Sequence, residues 1–89
     1  MIEREIPVTN KLGLHARASA KLVQLLSGYR SRAKMVAKGR EIDAKSTMGV
    51  MMLAAGKGTQ VHLLTEGEQD NDAMDALVEL INNFFDEGE

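Results

Sequence analysis

The spacing of apolar residues changes several times along this chain of 89 residues, and the order of these changes restricts the fold. Apolar and polar residues alternate from Ile2 to Val8, which predicts a β-strand, and Pro7 places that strand at an edge or near its end. Helical spacing follows and stops at Gly28, a suitable C-cap. The predicted apolar stripe of this helix contains Ala16, Ala20, Val23 and Leu26, widened by Leu22 and Leu25, with Arg17, Lys21 and Gln24 on the opposite face.

Similar patterns predict two more strands, a short helix, another strand and a last helix. Ser46 is suited to cap the short helix, because a serine side chain accepts a hydrogen bond from an early helical N–H. The predicted bounds are a hairpin over residues 33–43 that turns at Lys38-Gly39, a helix over residues 47–53, a strand over residues 59–65 after the turn Gly56-Lys57-Gly58, and a helix beginning near Asp70 and Asp72. The apolar stripe of the last helix is predicted to contain Ala73, Leu77, Ile81 and Phe84, with Met74, Leu80 and Phe85 beside it.

The resulting order, βαββαβα, lacks the regular strand-helix alternation of parallel sheets. It predicts an α+β fold in which the helices lie on one face of an antiparallel sheet. The length fits a single domain spanning residues 1–89. Spacing alone does not indicate the order in which the strands pair.

Composition argues against several classes of protein. The chain has no cysteine, hence no disulfide framework or thiolate metal site, which suits a reducing cytoplasm. A net charge of −2 with few aromatic residues is unlike a nucleic-acid-binding surface. The longest apolar run, Met48 to Ala55, is far below the ~18 residues of a membrane span. His15 and His62 are far apart in the sequence, so we predict neither a metal site nor a cofactor.

The charged residues are unevenly distributed along the chain. Every Lys and Arg except Arg4 lies between Lys11 and Lys57, where Glu41 and Asp43 are the only acidic residues. This distribution predicts a basic surface, which would suit an acidic protein partner as well as phosphate.

His15 lies where the first predicted loop gives way to a helix. The first helical N–H groups lack intrahelical partners and the helix dipole is positive there, so a helix start favours anions. A neutral imidazole is a nucleophile, and a phosphate on it would meet the backbone N–H groups near Ala16 and Arg17 and the Arg17 guanidinium. The pattern predicts a reversible phosphoryl acceptor; a histidine that only caps or packs at the helix start is the alternative.

Three segments together resemble the HPr family of phosphocarriers of the bacterial phosphotransferase system. These are Gly13-Leu14-His15-Ala16-Arg17, Lys45-Ser46-Thr47-Met48-Gly49-Val50-Met51 and Gly56-Lys57-Gly58. The match runs nearly end to end without an insertion. It implies an open-faced β-sandwich with sheet order 1-4-2-3 and three helices covering one face.

The resemblance also implies a function. His15 would accept a phosphoryl group on Nδ1 from a phosphorylated Enzyme I, itself charged by phosphoenolpyruvate, and pass it to IIA-type proteins. Arg17 would stabilise charge on the transferring group. Such a protein is a stoichiometric carrier rather than an enzyme, and we expect a cytoplasmic monomer.

Ser46 has two interpretations. Its role as an N-cap is sufficient by itself. The resemblance adds a regulatory role, because in part of the family the matching serine is phosphorylated by HPr kinase/phosphorylase. Near it, the spacing of Met48, Met51 and Met52 does not let all three point inward. The resemblance implies a partner-docking surface that contains Lys21, Lys45, Met48 and Met51.

One departure from the family pattern and one rival function remain. Much of the family has proline where this chain has Ala18, which leaves the helix start less rigid but still compatible with a helix. This alanine and residues 77–87 are similar to the nitrogen-related branch, NPr, so the sequence leaves sugar-related and nitrogen-related pathways open.

The alternative to a phosphocarrier is a regulatory binding module whose docking is switched by phosphorylation at His15 or Ser46. A hydrolase is the weakest interpretation, because no carboxylate or serine is placed to assist His15.

Overall fold

The computed structural model describes residues 1–86 and gives the predicted order of strands and helices. Bounds agree with the sequence patterns to within a few residues, apart from the end of the last helix. The elements are β1 (Ile2–Pro7), α1 (Ala16–Ser27), β2 (Arg32–Ala37), β3 (Arg40–Asp43), α2 (Thr47–Met52), β4 (Gln60–Glu66) and α3 (Asp70–Asn82).

The strands form one antiparallel sheet in the order β1-β4-β2-β3. Ile6 lies opposite Val61, and Met35 lies opposite Leu63 on one side and Ile42 on the other. The α+β class and the sheet order 1-4-2-3 are therefore confirmed. Strand β1 is at an edge of the sheet and Pro7 is its last residue, so both positions that the proline allowed are found.

The helices and the sheet enclose one hydrophobic core. Along β4, Val61, Leu63 and Thr65 are buried, whereas His62 and Leu64 between them are half-buried. This period of two shows which face of the sheet the helices cover. Helix α1 contacts both α2 and α3, and α3 packs on β4 and β1. In the described part of the chain, no helix is long and apolar enough to cross a membrane.

The buried face of α1 differs from the predicted stripe. Ala18, Ser19, Leu22 and Leu26 are buried, whereas Ala16 and Ala20 are exposed. The prediction was wrong at these alanines because a small side chain suits either environment. It also passed over Ser19, whose hydroxyl donates to the Leu14 carbonyl at 3.1 Å and is thereby satisfied in the core. The predicted C-cap at Gly28 is confirmed.

Helix α3 ends before the aromatic pair that the sequence placed on its apolar stripe. After Asn82, the φ angles of Phe84, Phe85 and Asp86 are all positive, at 56°, 53° and 62°. This left-handed turn still buries Phe85 in the core, while Phe84 is half-buried. Phe84 therefore does not extend the apolar stripe of α3, because the backbone changes from a right-handed to a left-handed conformation at this residue.

Candidate functional site

His15 is the N-cap of α1. Its backbone is extended, with φ −73° and ψ 178°, and its Nδ1 accepts a hydrogen bond from the Arg17 N–H at 3.3 Å. Its carbonyl accepts from the Ser19 N–H at 2.9 Å, which begins the helix. The side chain is half-buried. The imidazole thus lies at the positive end of the helix with one ring nitrogen directed at a helical N–H.

The two nitrogens of the imidazole have different surroundings. Nε2 is buried, whereas Nδ1 is at the helix start and accepts from the Arg17 N–H. Because an accepting ring nitrogen carries a lone pair, the neutral ring has its proton on Nε2. The nucleophilic lone pair of His15 is therefore on Nδ1.

The start of α1 lacks a carboxylate of its own. Its first turn contains no acidic residue, whereas the first turn of α3 contains Asp70 and Asp72. The Arg17 side chain is exposed, and within residues 1–86 its guanidinium forms neither a hydrogen bond nor an ion pair. Among residues 1–86, the first turn of α1 thus supplies N–H groups that favour an anion but no carboxylate of its own.

The loop before His15 is held by contacts that the sequence analysis missed. Asn10 is buried, and its side-chain amide donates to the Gly13 carbonyl at 2.7 Å. The Leu14 N–H donates to the Ala55 carbonyl at 2.9 Å, in the loop that follows α2. Gly13 has φ +67°, and a Cβ there would lie 2.4 Å from the Ala55 oxygen. The asparagine and glycine before His15, both typical of tight turns, were the signal that could have revealed this support.

Ser46 has the predicted geometry of an N-cap. Its Oγ accepts from the Gly49 N–H at 3.1 Å, and its own N–H donates to the Asp43 carbonyl at 3.0 Å. The first turn of α2 contains no acidic residue. The capping role is therefore confirmed.

The two lysines predicted to dock partners are each bound to a backbone carbonyl. Lys21 Nζ donates to the Phe85 carbonyl at 2.8 Å, and Lys45 Nζ donates to the Tyr29 carbonyl at 2.7 Å. Both side chains are half-buried. Lys21 thus reaches the turn after α3, whereas Lys45 reaches the C-terminal end of α1. Their docking role remains a prediction, and it has to be compatible with these bonds.

Helix α2 exposes an apolar surface to solvent. Met48, Met51 and Met52 are 71%, 44% and 58% exposed. With Thr47 they line an open groove. Flexible thioether side chains adapt to different partners, so this groove is suited to docking.

His62 lies away from His15, on the face of the sheet that the helices leave uncovered. Its Nε2 is 2.9 Å from Glu3 Oε1 on the neighbouring strand β1. Within residues 1–86, no three or more His, Cys, Asp or Glu residues form a group able to hold a metal ion. The structure therefore separates the two histidines.

The family model described as "PTS HPr component phosphorylation site" matches residues 2–83. The chain belongs to the HPr family. An HPr phosphocarrier from Pseudomonas putida is 64% identical over 90 residues, covering 100% of each chain. The crystal structure of an HPr from Thermoanaerobacter tengcongensis has a TM-score of 0.94 and 40% identity, covering 98% of each chain.

HPr-family proteins include the two branches that the sequence left open. A phosphocarrier named NPr, from Shewanella violacea, is 38% identical over 86 residues, covering 97% of this chain and 94% of the relative. This identity is lower than the 64% shared with the Pseudomonas putida HPr. The protein is thus a phosphocarrier of the phosphotransferase system, a component that carries a phosphoryl group without turning over a substrate.

Proposed function

We propose that His15 is the phosphoryl acceptor of this HPr-family protein and that Nδ1 is the atom phosphorylated. The observation that carries the proposal is the position of Nδ1, which is 3.3 Å from the Arg17 N–H at a helix start without acidic residues. Nε2 is buried and would have to be uncovered before it could react. His62 has a carboxylate rather than helical N–H groups beside it.

Phosphoryl transfer to Nδ1 requires the Arg17 N–H to release its hydrogen bond to this nitrogen, because the same lone pair forms the bond to phosphorus. As the N–P bond forms, the lone pair is used and the bond between phosphorus and the donor breaks. The N–H groups of Ala16 and Arg17 then donate to phosphoryl oxygens instead of the ring. The Arg17 N–H that His15 Nδ1 caps in the free protein thus stabilises the phosphorylated product.

The Arg17 guanidinium is proposed to neutralise charge during transfer. It is exposed and has no partner within residues 1–86, so it can turn toward the phosphoryl oxygens without breaking another contact. Charge on these oxygens is greatest while the group passes between donor and acceptor. Arg17 therefore acts mainly on the transfer step.

The proposed partners are a phosphorylated Enzyme I as donor and IIA-type proteins as acceptors, in the cytoplasm, with the carrier acting as a monomer. An open site suits this role, because the same imidazole has to meet two different proteins. The exposed methionines of α2 and the residues Lys21 and Lys45 are proposed to contact these partners.

Ser46 is proposed as a second, regulatory phosphorylation site, modified by HPr kinase/phosphorylase. Its hydroxyl is the cap acceptor of α2, and Met48 follows two residues later. A phosphate adds about −1.5 to −2 charge at pH 7. That charge would lie beside the proposed docking surface and weaken the approach of an acidic partner.

A transfer assay tests the function. The purified protein is incubated with phosphoenolpyruvate labelled in its phosphoryl group and either a sugar-type or a nitrogen-type Enzyme I, and then with the matching IIA-type protein. We expect label on the carrier with one Enzyme I and its passage to the IIA-type protein. Label that is accepted but never passed on would favour the regulatory binding module, and no label with either Enzyme I would contradict the proposed donor.

A further inference from the structure

The loop that supports His15 is itself held by the β2–β3 hairpin. Leu14, directly before His15, donates its N–H to the Ala55 carbonyl at 2.9 Å. Gly13 packs so closely on this loop that a Cβ would lie 2.7 Å from the Gly56 Cα. The position of the Ala55 peptide therefore determines where the backbone of His15 lies.

The segment after α2 needs outside support. Ala54 has φ +50°, a left-handed conformation that is unfavourable for a residue with a Cβ. Helix α2 has only six residues. The Val50 and Met51 carbonyls accept from the Leu53 and Ala54 N–H groups, whereas the Met52 and Ala54 carbonyls are bound by side chains instead. The residues between α2 and Ala55 are therefore not fixed by regular secondary structure.

Two cations of the hairpin bind the free carbonyls of this segment. Lys38 Nζ donates to the Ala54 carbonyl at 2.8 Å, and Arg40 Nη1 donates to the Met52 carbonyl at 3.3 Å. Lys38 is placed by the hairpin turn, where it and Gly39 have φ angles of 53° and 77°. Cations at the C-terminal end of a helix also interact favourably with its dipole.

We propose that Lys38 is a positioning residue for phosphoryl transfer at His15. By fixing the Ala54 carbonyl it holds the following peptide of Ala55, which in turn accepts from the Leu14 N–H. Arg40 supports the same segment two residues earlier, at the Met52 carbonyl. Lys38 neither touches the phosphoryl group nor forms part of the docking surface; it keeps Nδ1 in line for transfer. The inference rests on His15 being the acceptor.

The test uses three variants of the full chain. Lys38→Met removes the donor but keeps the length of the side chain, and Lys38→Arg keeps a donor. Lys34→Met is the matched control, because Lys34 is an exposed lysine of the same hairpin whose Nζ is 3.7 Å from Glu41 rather than near Ala54. Each variant is measured for amide hydrogen exchange at Leu14 and for kcat and KM as a substrate of phosphorylated Enzyme I.

For Lys38→Met we expect exchange at Leu14 to rise about fivefold and kcat to fall about threefold, the scale of losing one hydrogen bond to a charged donor at the surface. KM should be unchanged, and both Lys38→Arg and Lys34→Met should match the wild type. Unchanged Leu14 exchange in Lys38→Met overturns the proposal. A change in KM alone also overturns it, because Lys38 would then act in docking. An equal loss of kcat in Lys34→Met overturns it as well, because the effect would then come from general charge. Exchange at Leu14 reports on its hydrogen bond to the Ala55 carbonyl whether or not His15 carries the phosphoryl group. Failure of the positioning role can therefore be distinguished from failure of the proposed function.

Discussion

At the scale of single residues, one glycine lets the loop before His15 pack against the loop after α2. Gly13 combines a positive φ with the absence of space for a side chain. Gly39 also has a positive φ, 77°, but a Cβ there would meet nothing within 4 Å. Substituting alanine at Gly39 therefore tests the cost of the backbone conformation alone, whereas the same substitution at Gly13 adds the cost of a steric clash.

Gly13→Ala should lower the free energy of unfolding by more than about 2 kcal/mol, because both costs apply. Gly39→Ala should lower it by only about 1 kcal/mol, the cost of the left-handed conformation alone. Urea unfolding of both variants measures the difference. Equal losses would show that the contact between Gly13 and the Ala55 loop is not close in solution.

Arg17→Ala should reduce kcat for phosphoryl transfer by at least about tenfold while changing KM for the carrier less. The reason is that the guanidinium interacts most strongly with charge that develops during transfer. Steady-state kinetics with phosphorylated Enzyme I measure both constants. A rise in KM with kcat unchanged would make Arg17 a docking residue instead.

At the scale of elements, the sequence predicted every β-strand and α-helix of residues 1–86, and Pro7 predicted that β1 is an edge strand or that the proline lies near its end. It predicted the burial of Leu22 and Leu26 on α1 but was wrong at Ala16 and Ala20, and it placed the end of α3 too far along the chain. On α1, small alanines suit either environment, and the Ser19 hydroxyl is satisfied in the core by the Leu14 carbonyl. After α3, a left-handed turn ends the helix and still buries Phe85. Periodicity records neither of these, since it registers only the polarity of each side chain.

Helix α2 gives a prediction at this scale, through its cap. Ser46→Ala should lower the free energy of unfolding by about 1 kcal/mol, because the Gly49 N–H loses its acceptor. Ser46→Asp should keep most of this stability, since a carboxylate also caps a helix. Thermal unfolding of the two variants and the wild type provides the comparison, and a loss in Ser46→Asp equal to that in Ser46→Ala would contradict it.

Ser46→Asp should also slow association with Enzyme I, because it adds negative charge beside the proposed docking surface. The penalty should shrink as salt is added, since charges are screened over about 8 Å at physiological ionic strength. Phosphorylation rates of wild type and Ser46→Asp across a salt series decide this. Identical rates at low salt would place Ser46 off the docking surface.

At the scale of the whole molecule, the parts of the site that depend on local sequence could be predicted, whereas the parts that depend on contacts between distant segments could not. The N-cap positions of His15 and Ser46 could be predicted because helix starts leave a local signal, and the roles proposed for His15, Arg17 and Ser46 depend on these helix starts. The supporting contacts of Asn10, Gly13 and Ala55 join distant segments, so they required the fold. The sequence likewise showed where the cations lie along the chain, but not that Lys21 and Lys45 are bound to carbonyls.

We propose that His15, and not His62, carries the phosphoryl group on Nδ1. The most direct measurement is phosphorus and nitrogen NMR of the protein after reaction with phosphoenolpyruvate and Enzyme I, for the wild type, His15→Ala and His62→Ala. We expect one phosphohistidine, at Nδ1 of His15, in the wild type and His62→Ala, and none in a folded His15→Ala. A phosphohistidine signal in His15→Ala, or one assigned to His62 or to Nε2 of His15, would contradict it.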